Sequence, residues 1–166
     1  MADSRLETSV QEHIRSETKK NFWINLILNG VIAYATLHGI AELTTWGEHS
    51  YGRDLIITAL ILCTILSGIF IAVFRHKCKK EQIVPEDDEG QALAWLLPYS
   101  PWLAAPWMGI IGACLAVPPL LGLLAVFNLG TMTPLTYALI KGLWAGVLAA
   151  IVVPIAIRQG LRNADE

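Results

Sequence analysis

The 166-residue chain contains little charge. Asp, Glu, Lys and Arg together make up 16% of it, whereas ordinary soluble domains carry about 25%. The net charge is −2, and no basic stripe with interleaved aromatic residues is present, so we expect no nucleic-acid partner. Hydrophobic residues make up 54% of the chain. This composition indicates a protein whose main partner is the lipid bilayer.

Sequence patterns of familiar chemistry are also missing. The three cysteines, Cys63, Cys78 and Cys114, form no CxxC pair, which excludes a disulfide framework. The chain has no G-x-S-x-G elbow, no P-loop and no HExxH sequence. We therefore expect no cofactor, and no motif favours an enzyme.

Four apolar runs are long enough to cross a hydrocarbon core of about 30 Å as helices that rise about 1.5 Å per residue. They are residues 22–43, 55–74, 107–127 and 135–157. A soluble helical bundle is the alternative, but soluble helices of this length carry a polar face, which the second run lacks. Short gaps join the first two runs and the last two. The predicted fold is an all-α integral membrane protein with four transmembrane helices arranged as two hairpins.

Most lysines and arginines fall in three segments outside these runs: residues 1–21, the loop 75–106 and the tail 158–166. Elsewhere the chain has only Arg53 and Lys141. Because cytoplasmic loops carry an excess of Lys and Arg, both termini and the middle loop are predicted to face the cytoplasm. In a bacterial host this corresponds to the cytoplasmic (inner) membrane.

Two segments outside the apolar runs have an amphipathic character. Residues 1–21 carry Leu6, Val10 and Ile14 at four-residue spacing among charged residues. This pattern predicts a segment that lies on the membrane surface as a helix or is partly disordered. Residues 75–106 begin as a charged loop and end in a tryptophan-rich stretch that three prolines interrupt. Because tryptophan favours the head-group level, an interfacial segment is predicted before the third transmembrane helix.

Polar side chains form a stripe along the first run. Asn25, Asn29 and Thr36 fall within about 40° of one another on a helix that turns about 100° per residue. An amide in lipid needs a hydrogen-bond partner, which a neighbouring helix can supply. The stripe therefore predicts either helix packing or the lining of a polar pathway.

Lys141 lies inside the fourth run, about 9 Å from its start at about 1.5 Å per residue. A lysine near the bilayer centre costs roughly 2.5 to 3.5 kcal/mol. The cost is lower this close to the interface, where the side chain can extend outward to the head groups, but the position still needs an explanation. His38, Glu42 and Asp54 all lie at depths that Lys141 can reach. We expect an intramembrane site in which Lys141 pairs with Glu42 or Asp54. Such a pair either fixes the helix register or takes part in ion movement; the alternative is a lysine that reaches the head groups without a pair.

The same stretch allows a metal site to be considered. His38 and Glu42 are four residues apart, as ligands on one helical face often are, and His49 follows nearby. This spacing is common by chance, and no cysteine set accompanies it. We therefore predict no metal site. If a metal ion were bound, His38, Glu42 and His49 would be its ligands.

Pro118 and Pro119 lie near the midpoint of the third run. Each removes a backbone donor and crowds the carbonyl four residues earlier, here those of Cys114 and Leu115. A helix break is predicted at this point. Such a break is either a passive kink or, as in transporters, part of a binding element.

Small residues recur at every fourth position in three runs. Gly142, Gly146 and Ala150 form a helix-packing ridge in the fourth run. The other two ridges are Thr64, Gly68 and Ala72, and Ala105, Gly109 and Ala113. Such ridges let helices approach closely. We expect some of them to pack inside the bundle and others to support a homo-oligomer.

Small multidrug transporters resemble this chain in span count, but they have a carboxylate well inside the first span, where this chain has Asn25 and Asn29. No residue role is carried over from them. The functional hypothesis is an oligomeric transporter or channel with an ionic site at Lys141. The alternative is a structural or accessory subunit that binds other membrane proteins and transports nothing itself.

Overall fold

Long apolar runs alternate with polar loops, and the helices follow this alternation. The computed structural model of the protein describes residues 2–81, 97–98 and 100–162. Its helices are α1 (Ala2–Leu37), α2 (Tyr51–Glu81), α3 (Pro101–Val126) and α4 (Pro134–Arg162), and its strands are β1 (Leu43–Thr44) and β2 (Thr131–Met132). The prediction of an all-α fold is confirmed.

In the described part of the chain, three helices are long and apolar enough to cross a membrane: Tyr51–Lys77, Trp102–Val126 and Pro134–Leu161. The helical part of the first apolar run is shorter than predicted, because α1 ends at Leu37 instead of residue 43. Its apolar part, residues 22–37, is about 24 Å long at about 1.5 Å per residue. This is less than a hydrocarbon core of about 30 Å, so a fourth crossing stays a prediction.

The outer sides of the long helices are apolar. Ile57, Ile61, Ile65 and Ile69 are exposed at every fourth position of α2. Monomeric soluble proteins rarely expose contiguous apolar surfaces of this kind, whereas lipid tails would cover them without cost. This surface supports a small integral membrane protein and argues against the soluble alternative.

The helices pack in the order α1, α4, α2, α3, so α2 and α4 form the centre of the bundle. Helix α1 lies against α4, and α3 lies against α2. Helices α3 and α4 make few contacts with each other. The predicted pairing of consecutive helices into two hairpins is therefore wrong. A short loop fixes where the next helix begins, but it does not decide which helix lies along its side.

Glycines permit the close approach of α1 and α4. A Cβ atom at Gly142 would lie 2.6 Å from the carbonyl oxygen of Leu26, and one at Gly146 would lie 3.0 Å from that of Phe22. Ala150, the third member of the predicted ridge, is half-buried. The ridge in α4 thus faces α1 of the same chain.

The other two ridges, in α2 and α3, contact each other within the same chain. A Cβ atom at Gly109 of α3 would lie 2.9 Å from the carbonyl oxygen of Leu60 in α2, and one at Gly68 would lie 3.6 Å from the Cβ of Ala105. Because all three ridges contribute to intrachain contacts, they give no separate support to a homo-oligomer.

Helix α3 begins earlier than predicted and continues through its prolines. Pro101 occupies the start of the helix, where the missing N–H costs nothing, so residues 101–106 belong to α3. The interfacial location of this stretch stays a prediction. Residues 82–96 and 99 lie outside the described residues. Pro118 and Pro119 lie inside the uninterrupted helix, with exposed side chains. The predicted helix break is therefore not an interruption of α3.

The amphipathic segment at residues 1–21 is continuous with the first apolar run, since both belong to α1. Ile14 is buried in a cluster with Phe70 and Phe74 of α2 and Ile157 of α4. At this position the segment packs against the bundle, and its location on the membrane surface stays a prediction. The side chains of Leu6 and Val10 lie outside the described residues.

The two connections at one end of the bundle pair with each other. We call this the loop end: residues 38–50 join α1 to α2, and residues 127–133 join α3 to α4. Leu43 pairs with Met132 and Thr44 with Thr131 in an antiparallel ladder. Asn128, at φ 53°, ends α3 in the left-handed region that asparagine tolerates better than most residues.

Candidate functional site

A buried ion pair joins the two central helices near the loop end. Asp54 lies in the first turn of α2, and Lys141 lies two turns into α4. The Lys141 Nζ donates a hydrogen bond of 2.6 Å to Asp54 Oδ2, and Lys141 is only 5% exposed. A charge-assisted bond of this length offsets much of the cost of burying the ammonium group. The N-terminus of α2 adds a favourable partial positive charge beside the carboxylate.

A tyrosine that the sequence analysis did not single out completes this contact. Tyr137 lies one turn before Lys141 on the same face of α4, is fully buried, and donates a hydrogen bond to the same Asp54 Oδ2. Its ring lies 5.9 Å from the Lys141 Nζ and 5.9 Å from the ring of Tyr51. The four-residue spacing to Lys141 is the signal that would have identified Tyr137.

The carboxylate of Asp54 is open to solvent on its other side. The Asp54 side chain is 38% exposed, in contrast to its lysine partner. Both hydrogen bonds end on Oδ2, and no described residue donates one to Oδ1. Asp54 thus has an acceptor oxygen left for a further donor.

A pocket of about 150 Å³ lies beside this carboxylate at the loop end. It is lined by Thr36, Leu37, Leu43, Glu48, His49, Ser50, Tyr51 and Asp54. The wall contains acidic and hydroxyl groups as well as two leucines. The pocket connects the ion pair to the outside of the bundle.

Hydrogen bonds between the two connections hold the pocket in shape. The Tyr51 hydroxyl donates to the carbonyl of Leu129 at 2.8 Å and also contacts the Thr45 hydroxyl. The Thr45 N–H donates to the carbonyl of Gly130 at 3.2 Å. Because Tyr51 opens α2, these bonds tie the start of that helix to the loop after α3.

Of the three partners considered for Lys141, only Asp54 contacts it. Glu42 is exposed in the loop, and His38 is exposed with its Nδ1 2.9 Å from the carbonyl oxygen of Ala35. His49 lines the pocket. Among the described residues, no group of three His, Cys, Asp or Glu side chains is placed to hold a metal ion. The structure thus does not gather His38, Glu42 and His49 into one site.

The polar stripe of α1 bonds mainly to its own helix. Asn25 donates to the carbonyl of Asn21 at 2.9 Å, and Asn29 donates to that of Asn25 at 3.1 Å. Thr36 likewise donates to the carbonyl of Ile32. The expectation that a neighbouring helix supplies the partners is wrong for these donors. Only Thr36 of the stripe lines the pocket.

The layer directly beneath the ion pair is apolar. Leu55, Ala59 and Cys63 of α2 are fully buried there, together with Ala145 and Leu148 of α4. An ion that reaches Asp54 from the loop end meets no polar side chain among these residues. The pocket beside Asp54 lies at the loop end, on the other side of the ion pair from these residues.

Comparison of the chain with models of protein families, with curated proteins and with solved structures gives no match.

Proposed function

We propose that this is a small membrane protein of the transporter or channel type whose ionic site is the pair of Asp54 and Lys141. The access to Asp54 supports this proposal: the carboxylate that neutralises a buried lysine lines a pocket at the loop end. A pair that served only to fix the helix register would gain nothing from this access, because water weakens the attraction between the charges.

The geometry suggests how a charged solute would affect the ion pair of Asp54 and Lys141. A solute that enters the pocket meets the free oxygen of Asp54 and competes with Lys141 for the carboxylate. The apolar layer beneath means that passage requires a second arrangement of α2 and α4. Solute binding would favour that arrangement if it weakens the ion pair, because a ligand shifts an equilibrium toward the state it binds better.

We further propose that the loop end faces away from the cytoplasm. The Lys and Arg residues of segments 1–21, 75–106 and 158–166 favour the cytoplasmic face, which places both termini there. In a bacterium the membrane would be the cytoplasmic membrane, and α1 would provide the fourth crossing. A homo-oligomer remains a separate prediction.

Flux through reconstituted vesicles tests the transport proposal. We expect Lys141→Met to reduce the uptake of protons or monovalent cations about tenfold or more, measured with fluorescent indicators inside the vesicles. Lys20→Met is the matched control, because Lys20 is exposed and, among the described residues, pairs with Glu17 alone on the surface of α1. Undiminished flux in Lys141→Met would contradict the proposal, as would wild-type flux no higher than that of empty vesicles.

An accessory subunit without transport activity is the second candidate. The observation that favours it is the closed apolar layer beneath the ion pair, which leaves Asp54, Lys141 and Tyr137 as a link between the central helices. This candidate predicts a stoichiometric membrane-protein partner after purification in mild detergent, together with no flux from the purified protein.

A further inference from the structure

The lining of the loop-end pocket indicates the chemistry of what binds there. Glu48 and Asp54 are the charged groups of fixed sign in its wall, and both are acids. Because Lys141 already pairs with Asp54, Glu48 supplies the net negative charge of the wall. Leu37 and Leu43 supply apolar surface beside them. We infer that the pocket binds a small organic ammonium ion, an inference that rests on the proposed function and names its substrate class.

The free oxygen of Asp54 supports a ligand that donates hydrogen bonds. Oδ2 already accepts from Lys141 and Tyr137, whereas no described residue donates to Oδ1. An ammonium group carries its donors in a compact charged head and bonds strongly to carboxylates. The Lys141 ammonium on Oδ2 is itself an example of this chemistry, so a ligand ammonium would reproduce at Oδ1 a contact that the protein already makes at Oδ2.

The rest of the wall favours an organic cation over a metal ion. An inorganic cation needs several oxygen or nitrogen ligands, and the described residues offer no group of three placed to hold one. The leucine side chains would instead contact the carbon chain of an organic ligand. A volume of about 150 Å³ leaves room for a small organic cation.

Calorimetric titration of the purified full-length protein in detergent tests the inference, with n-butylammonium chloride as the probe. We expect saturable binding of n-butylammonium and no binding of butan-1-ol, which has the same chain without the charge. Sodium chloride at the same concentration should not compete. Binding of the alcohol equal to that of the amine, or equal competition by sodium, would overturn the assignment.

A pair of loop variants locates the binding. Glu48→Gln removes a carboxylate from the pocket wall, and we expect about fivefold weaker binding, because an exposed ion pair contributes up to about 1 kcal/mol. Glu42→Gln removes an exposed carboxylate from the same loop that does not line the pocket, and it should bind as the wild type does. Equal affinity in Glu48→Gln and wild type would overturn the location, as would no wild-type binding at all.

Binding and flux separate this inference from the proposed function. Saturable n-butylammonium binding without vesicle uptake of n-butylammonium, protons or other monovalent cations would leave the ligand assignment standing and overturn transport. Flux that depends on Lys141, in a protein that does not bind n-butylammonium, would leave transport standing and overturn the ligand class.

Discussion

The two ends of the bundle are held together by different interactions. At the loop end, an ion pair, two tyrosine hydroxyls and a short β-ladder connect α2, α4 and the loops. At the opposite end, α2 and α4 meet through apolar side chains, and a Cβ atom at Gly160 would lie 2.9 Å from the carbonyl oxygen of Ile71. Polar contacts can exchange with a ligand, whereas close apolar packing cannot. Between α2 and α4, the polar contacts that a ligand could replace therefore lie at the loop end.

The largest effect is expected from removing the counter-charge of the buried lysine. Asp54→Leu should lower the free energy of unfolding by about 3 kcal/mol, because it leaves Lys141 buried and unpaired. Unfolding in mixed detergent micelles measures this change, with Glu42→Leu as the exposed control. An effect of Asp54→Leu no larger than that of the control would remove the distinction between the two ends.

A smaller effect is expected at the opposite end. Gly160→Val should cost about 2 kcal/mol through overpacking against Ile71 and Phe74, without changing the affinity for n-butylammonium. Gly122→Val is the matched control, since nothing lies within 4 Å of a Cβ at that position. Should Gly160→Val alter ligand affinity as strongly as Glu48→Gln does, the two ends would not be independent.

The smallest effect concerns the link between the two loops. Tyr51→Phe removes the hydroxyl that bonds to the carbonyl of Leu129 and should cost about 1 kcal/mol. Hydrogen exchange should show faster opening at Thr44 and Thr45. Tyr34→Phe provides the comparison, because the Tyr34 side chain is exposed on α1. Unchanged exchange in Tyr51→Phe would mean that the ladder holds the loops without this bond.

The all-helical class and both members of the ion pair could be predicted from the sequence. The packing of the helices around the pair could not. The rise per residue put His38, Glu42 and Asp54 all within reach of Lys141, so it could not select one. Asp54 is the partner because α2 begins at Tyr51 and turns that carboxylate toward α4. The contact of Tyr137 with Asp54 is not predicted, because a tyrosine near the end of a membrane helix is typical of an interfacial anchor.

The pairing of helices was not predictable from the loops. Short connections suggested that α1 would lie against α2, yet Gly142 and Gly146 allow α4 to approach α1 more closely. The prediction that another helix supplies the hydrogen-bond partners of the asparagine stripe is also wrong. A helix can satisfy Asn25 and Asn29 with its own carbonyls four residues earlier, so an amide in an apolar run does not by itself demand a partner helix.

A double-mutant cycle on Asp54 and Lys141 tests the central claim most directly. Unfolding free energies of Asp54→Leu, Lys141→Met and the double variant give the coupling between the two side chains. We predict a favourable coupling of about 2 kcal/mol, with the double variant more stable than Asp54→Leu alone. A coupling near zero would contradict the account, because it would mean that the buried lysine does not depend on this carboxylate.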